Sequence, residues 1–196
     1  MVLPAYIDES TGAITDGEAW VAVGTTTIAG SAATPVTFTS PDDGSSTDWS
    51  QFMDLFLLAY VRSQDSGDPY TYLSLNGSTS FSSENQYLQG DGGSTSAGGY
   101  APAGYAWIWR HPYSTQTANV FGVGICHFPD INSSKYKTMI SQSASDLDGS
   151  GYAAMYSNVI RTSAPISSIS VHDGAGTGWT IGSRFDLFGI LPRMVS

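Results

Sequence analysis

Hydrophobic and polar residues alternate over short stretches along most of the chain, and glycine, proline, serine or asparagine lie between these stretches. Alternation with a period of two over four to eight residues is typical of β-strands that are buried on one face. The 22 glycines and nine prolines are spread throughout, which leaves few stretches long enough for a helix. The pattern predicts ten strands, at 20–28, 35–39, 54–62, 71–76, 105–111, 119–128, 134–141, 153–161, 166–172 and 184–191.

The segment 49–62 also fits a second pattern. Trp49, Phe52, Phe56 and Tyr60 could share one face of a helix. The run 55–61, however, is apolar on both faces of a strand, as expected for a strand in the middle of a sheet. We therefore predict a buried strand here, preceded by a turn at 48–50.

About ten short strands in one chain indicate an all-β fold with two packed antiparallel sheets. The length of 196 residues and the hydrophobic share of 41% suit a single core, so we predict one β-sandwich domain over 20–196. Residues 1–19 are weakly patterned and are predicted to form an extended N-terminal arm that packs on a neighbour or on the domain's outside. The stretch 90–104 is rich in Gly, Ser and Ala, and is predicted to be a long surface loop.

Charged residues make up only 12% of the chain, about half of the usual ~25%. The surface must consist largely of Ser, Thr, Asn and Gly. Such a surface can be covered by a partner without removing water from many ions. The composition therefore favours a component of a larger assembly.

The net charge of −10 argues against partners that are themselves anionic. A nucleic-acid-binding protein needs clustered Lys and Arg to displace counterions from phosphates. Lys135 and Lys137 are the only two lysines, so binding to nucleic acid or to an anionic membrane is not expected. Cys126 is the only cysteine, which excludes a disulfide within the chain. The first residues lack the features of a secretion signal, and we expect synthesis in the cytoplasm.

The last part of the chain carries a specific pattern. Residues 179–190 read WTIGSRFDLFGI and follow APISSISV at 164–171. Together they resemble the ending of a family of structural proteins from tailed bacteriophages, many of them marine, in which I-x-x-I-x-[LV] precedes [WF]-x-x-G-S-x-F-x-L-[YF]-G-I. Phe188 occupies a position that is usually Tyr. Looser matches at 52–55, Arg62, 73–77, 119–122 and 135–137 extend the resemblance from about residue 49 onward, whereas 1–48 has no match.

This resemblance implies a virion component with a jelly-roll-like sandwich, without fixing its place in the virion. The residues of the ending also have a direct physical interpretation. Phe185 and Leu187 alternate with Arg184 and Asp186, as in a half-buried strand. A turn is expected at 182–183, and Gly189 would allow a bulge or a close approach of another group.

Within this family we expect a decoration (cement) protein on the outer surface of the capsid, made in the host cytoplasm. Its partners would be the major capsid protein or other virion subunits and further copies of itself, as a homotrimer. The acidic balance favours the outside, because packaged DNA would repel the chain. The alternative is a carbohydrate- or receptor-binding module on the tail or collar.

An aromatic row is the main candidate for a ligand or subunit surface. Tyr105, Trp107, Trp109 and His111 occupy alternate positions, with Tyr113 nearby, and strict alternation would place them on one strand face. Exposed, the row would stack against sugar rings. Buried, it would be part of the core or of a subunit interface, which is the interpretation that we favour because large apolar strips rarely stay in water.

One loop resembles the first half of a calcium-binding loop. Asp146, Asp148 and Ser150 provide oxygens at positions one, three and five, with Gly151 at position six. Ser157 stands at the twelfth position, where a bidentate Glu would be expected. A polar hairpin loop is the preferred interpretation, calcium remains the alternative, and no other cofactor is expected.

Candidates for catalysis are few. Cys126 and His127 are adjacent on a predicted strand, so their side chains point to opposite faces and cannot exchange a proton. The spacing of the histidines matches no zinc motif. The three glutamates, at 9, 18 and 84, all fall in predicted arm or loop. We therefore do not expect an enzyme.

Overall fold

The computed structural model describes residues 20–30, 34–78, 83–103 and 106–191, with only the backbone at 101–103. These residues form twelve strands and one short 3-10 helix, Trp49–Gln51. All ten predicted strands are confirmed, and two more are present. The strands are β1 (Trp20–Thr27), β2 (Val36–Thr39), β3 (Asp54–Val61), β4 (Tyr70–Leu75), β5 (Ser83–Gly90), β6 (Thr95–Ala103), β7 (Ala106–Arg110), β8 (Gly122–Phe128), β9 (Lys137–Asp146), β10 (Gly151–Ile160), β11 (Ser168–Asp173) and β12 (Arg184–Ile190).

The strands form two antiparallel sheets with a nested order. The larger sheet runs β1-β12-β3-β8-β9-β10-β5-β6, and the smaller one runs β2-β11-β4-β7. Strand β1 pairs with β12, β2 with β11, β3 with β8, and β4 with β7. This nesting of four pairs over two sheets is the jelly roll, so the predicted fold is confirmed. Two inserted hairpins, β5–β6 and β9–β10, extend the larger sheet beyond β8.

The core lies between the sheets and is built from the inward residues of the alternating strands. Strand β3 contributes Leu55 and Leu57, and its neighbour β12 contributes Phe185 and Leu187. Opposite them lie residues of the smaller sheet such as Leu73 of β4. The segment 49–62 is therefore a strand, as predicted, and the turn before it is the 3-10 helix, where Asp48 caps Ser50 N–H at 2.9 Å.

The predicted loop at 90–104 is wrong, because this stretch contains β6, which pairs with β5. Both strands were difficult to recognise, since β5 is polar and β6 is rich in glycine. Glycine permits a close approach here: a Cβ at Gly98 would lie 2.8 Å from the Tyr87 hydroxyl oxygen, and one at Gly99 would lie 2.6 Å from Gln86 Nε2. Pairing with a neighbouring strand thus overrides low β-propensity.

Residues of the C-terminal pattern hold specific structural positions. Gly182 has a φ of +91° in the predicted turn, and Ser183 follows it. Ser183 Oγ accepts the Arg62 N–H and donates to the Arg62 carbonyl, both at 3.1 Å. The buried Arg62 guanidinium donates to the carbonyls of the loop before β8, those of Ser114, Gln116, Thr117 and Val120. Arg62 therefore fixes that loop against the end of the sandwich.

The predicted N-terminal arm, residues 1–19, lies outside the described residues, as do residues 192–196 of the predicted domain. Over the described part of the chain, no helix is both long enough and apolar enough to cross a bilayer.

Candidate functional site

The outer surface of the larger sheet is rich in aliphatic side chains. One row crosses five strands in register, from Leu58 through Ile125, Gln142 and Met155 to Leu88. Exposed fractions are high for aliphatic residues of this surface: 58% for Leu88, 56% for Val123, 51% for Ile140 and 44% for Met155. A shallow depression of about 570 Å³ lies among them. We call this surface, built around Leu58, Leu88, Val123, Ile125, Ile140 and Met155, the aliphatic face.

Aromatic rings continue the same surface toward β1. Trp20 lies over Phe56 with ring centroids 4.4 Å apart, and Phe56 stacks on His127 at 4.2 Å. His127 Nε2 is 2.9 Å from Asp54 Oδ2, and Asp54 Oδ1 accepts the Asp130 N–H. The ionisable groups at this end are thus paired with one another.

The predicted aromatic row is not on one face, because β7 contains a bulge. Tyr72 of β4 is opposite Trp107 while Thr71 is opposite Trp109, so one step on β4 corresponds to two steps on β7. Ile108 and Trp109 consequently both point into the core, and Trp107 points out. The prediction of a shared face is therefore wrong for Trp107 and Trp109.

Trp109 and His111 are both buried, away from Trp107. Trp109 Nε1 donates to the Ile125 carbonyl at 3.0 Å, across the sandwich. His111 is fully buried, with Nδ1 2.8 Å from Thr71 Oγ1, and burial lowers its pKa to about 4. Tyr113 is half-buried in the loop after β7. Tyr105 lies outside the described residues.

Polar side chains from the larger sheet cover the free edge of β7. Asn85 Oδ1 accepts the Trp107 N–H at 3.1 Å, and Asn158 Nδ2 donates to the Trp107 carbonyl at 2.8 Å. Ser141 donates to the Ile108 carbonyl, and Ser143 accepts the Arg110 N–H. Buried backbone groups need such partners, so these four side chains replace a missing neighbour strand and fix the position of Trp107.

The outer surface of the smaller sheet differs from the aliphatic face, because it combines aromatic rings with hydroxyl and imidazole groups. Trp107, Tyr72 and His172 are neighbours in register on β7, β4 and β11. Trp107 stacks on Tyr70 with centroids 4.7 Å apart, and Tyr100, on β6 at the edge of the larger sheet, packs against it at a tilt, also at 4.7 Å. We call the surface formed by Tyr70, Tyr72, Ser74, Tyr100, Trp107 and His172 the aromatic face.

A groove of about 410 Å³ runs along the aromatic face beside the turn after β11. Tyr72, Ser74, His172 and the stretch 173–176 line it. Ser74 Oγ lies 2.9 Å from His172 Nε2, and burial lowers the pKa of His172 below its ordinary value. The imidazole is therefore neutral at pH 7 and can exchange hydrogen bonds with a ligand.

The Ser74–His172 contact does not form a nucleophilic triad with the neighbouring carboxylate. Asp173 points the other way, and its Oδ2 accepts from Thr177 and Gly178. Cys126 lies in the core, where burial raises the pKa of its thiol, while His127 lies on the outer surface. A protonated, enclosed thiol is a poor nucleophile.

The candidate calcium loop forms the turn between β9 and β10. Asp146 Oδ1 accepts the Asp148 N–H at 3.0 Å, and the Leu147 N–H donates to the Ser150 carbonyl at 2.9 Å. Asp148 and Gly149 both have positive φ, as a tight hairpin requires. Within the described ranges, no three His, Cys, Asp or Glu side chains are grouped so that they could hold a metal ion.

No protein-family model, curated protein or solved structure matches this chain.

Proposed function

We propose that this protein is a structural subunit of a bacteriophage virion, a decoration protein on the outer surface of the capsid that assembles through its aliphatic face. The observation that carries this proposal is the row of exposed aliphatic side chains on β8, β9, β10 and β5. Large apolar surfaces rarely stay in contact with water, and mark sites of association. The resemblance of residues 164–190 to tailed-phage structural proteins supports the same class of protein.

The size of the outer surface suits a stable interface. Eight strands spaced by about 4.8 Å give a width of about 34 Å, and about 20 Å along the strands gives an area of about 700 Å². Specific, stable interfaces bury roughly 600–1,000 Å² on each partner. The outer surface of this one sheet is therefore large enough to hold a subunit.

The occupant that we propose is a second copy of this chain, within a closed homo-oligomer such as a trimer. Two copies with a net charge of −10 each repel one another at most orientations. On this surface, however, Asp186 is paired with Arg184, and Asp54 is hydrogen-bonded to His127. The pairing of Asp186 reduces like-charge contact and favours association through this surface.

An outer location follows from the same charge. Packaged DNA repels an acidic subunit, whereas the outside of a shell does not. The low content of charged residues permits extensive contact with the major capsid protein or other virion subunits without large desolvation.

The association is tested by sedimentation velocity over a range of concentrations. We expect the unaltered chain to be oligomeric, and Leu88→Lys and Met155→Lys to shift it toward the monomer, because each places a charge in the apolar contact. Ser66→Lys, at an exposed loop position between β3 and β4, is the matched control and should leave the oligomer intact. A monomer at every concentration, or equal effects of all three substitutions, would contradict assembly through this face.

The place in the virion is tested by counting copies per purified particle with quantitative mass spectrometry. A copy number in the hundreds indicates a shell component, whereas about six or twelve copies place the protein on the tail. Absence from purified particles would overturn the proposed function.

A further inference from the structure

We propose that the aromatic face is a binding site for a neutral oligosaccharide, with Trp107 and Tyr72 stacking against sugar rings and His172, held by its contact with the buried Ser74, hydrogen-bonding to sugar hydroxyls. Apart from Tyr100 on β6, this site lies on the smaller sheet, whereas the aliphatic face lies on the outer surface of the larger one. It is independent of the assembly proposed for that face.

Stacking requires aromatic rings whose faces are held in place at a surface. Trp107 stacks on Tyr70 and is met at a tilt by Tyr100, with centroids 4.7 Å apart in each pair, and its centroid is 6.1 Å from that of Tyr72. Its backbone is fixed as well, because its N–H donates to Asn85 Oδ1 and its carbonyl accepts from Asn158 Nδ2. The rings are thus ordered before a ligand arrives, so binding costs little side-chain entropy.

Hydroxyl groups of a sugar both donate and accept hydrogen bonds, and the groove provides groups that match. Ser74 and His172 line it, 2.9 Å apart, so a sugar hydroxyl at the open side can join an existing pair. The backbone of the glycine-containing stretch 174–176 lines the other side. The groove volume of about 410 Å³ lies within the ~300–1,000 Å³ that is typical of ligand sites.

The charges around this face favour a neutral ligand over an anionic one. Asp173 lines the groove. Asp68 lies close to it, because a Cβ on Gly174, which also lines the groove, would meet the Asp68 carboxylate. Arg110 is directed over the rings of Tyr70 and Tyr152, at 5.7 and 4.7 Å. With a net charge of −10, the chain as a whole repels anions.

The test is an array of immobilised neutral and anionic oligosaccharides, probed with the labelled full chain, followed by calorimetry on the neutral glycan that gives the strongest signal. We expect Trp107→Ala and Tyr72→Ala each to weaken that binding at least 10-fold, and Trp107→Phe to retain most of it. Trp20→Ala removes an exposed tryptophan from the other sheet and should bind like the unaltered chain.

Circular dichroism of each variant separates loss of binding from loss of folding. Tyr72→Ala and His172→Ala decide the outcome if Trp107→Ala does not fold. The proposed site would be overturned if the array gave no signal or gave signals from anionic glycans alone. It would also be overturned if Trp20→Ala weakened glycan binding as much as Trp107→Ala. Leu88→Lys should retain glycan binding while it disrupts the oligomer, so failure of this proposal is distinguishable from failure of the proposed assembly.

Discussion

Asn158 joins the two sheets of the sandwich through one hydrogen bond to Trp107, from its Nδ2 to the backbone carbonyl at 2.8 Å. Asn158 is fully buried on β10 of the larger sheet, and Trp107 lies on β7, at the edge of the smaller sheet. The smaller sheet ends at β7, while the larger one continues over it. At the free edge of β7, the Asn158 side chain therefore makes the hydrogen bond that a neighbouring strand would otherwise make.

We predict that Asn158→Ala lowers the free energy of unfolding by about 1–3 kcal/mol. The substitution leaves a buried carbonyl without its partner, and an unsatisfied buried acceptor costs about that much. Urea denaturation followed by circular dichroism measures the change. Ser157→Ala, at the exposed neighbouring position, is the control and should change stability by less than about 0.5 kcal/mol. Equal stability of the two variants would contradict the role of Asn158.

His111 is predicted to make the fold sensitive to mild acid. Burial lowers its pKa to about 4 in the folded chain, against an ordinary value of 6.5. As the pH falls, the unfolded chain therefore takes up this proton before the folded chain does. The stability that neutral His111 contributes is fully present above pH 6.5 and is lost between pH 6.5 and pH 4. The loss from this group approaches about 3 kcal/mol, with a slope of up to about 1.4 kcal/mol per pH unit.

Urea unfolding at several pH values between 7 and 4 measures this slope. His111→Gln should flatten it, because glutamine does not titrate, whatever the stability of that variant at pH 7. Carboxylates such as Asp65 titrate at lower pH, because the backbone N–H groups of Asp68 and Gly67 lower the pKa of Asp65 from 3.8. The stability that the ionised Asp65 contributes is therefore lost only below pH 3.8. An unchanged slope in His111→Gln would contradict the assignment of this pH dependence to His111.

Gly189 is predicted to be intolerant of any side chain. A Cβ at this position would lie 2.5 Å from the ring of Phe52, which is buried. We expect Gly189→Ala to destabilise the fold by about 1–3 kcal/mol, the usual cost of overpacking a core. Gly67→Ala is the matched control, since a Cβ there meets nothing within 4 Å. Thermal unfolding of both variants compares them, and similar midpoints would show that Phe52 can move aside.

The sequence predicted a sandwich of two sheets because hydrophobic periodicity reports burial directly, whereas the jelly-roll order was expected only from the resemblance. The strand β3 is an example: the run 55–61 is apolar on both faces, and this strand lies in the middle of the larger sheet. The hairpin β5–β6 was missed because its residues alternate little in hydrophobicity. What makes it a pair of strands is tertiary pairing, of β5 with β10 and of β6 with β5.

The candidate site was predictable only in part. Trp107 was singled out from its place in the aromatic row, but the bulge that separates it from Trp109 depends on the pairing of β7 with β4. Tyr72 and His172 lie about 100 residues apart in the sequence and meet only through the strand order β11-β4-β7. No local pattern contains that order, so the aromatic face could not be derived from spacing alone.

The nested strand order has a consequence for synthesis on the ribosome. β12 lies between β1 and β3, so the first strand cannot join the larger sheet until residue 190 has been made. At roughly 5–20 residues per second, β1 remains without its partner for about 10–30 s after translation of its own residues. During that interval its unpaired backbone and its first side chain, Trp20, are open to other nascent chains. The pairing of the first strand is thus one of the last steps in the formation of the larger sheet, however early that strand leaves the ribosome.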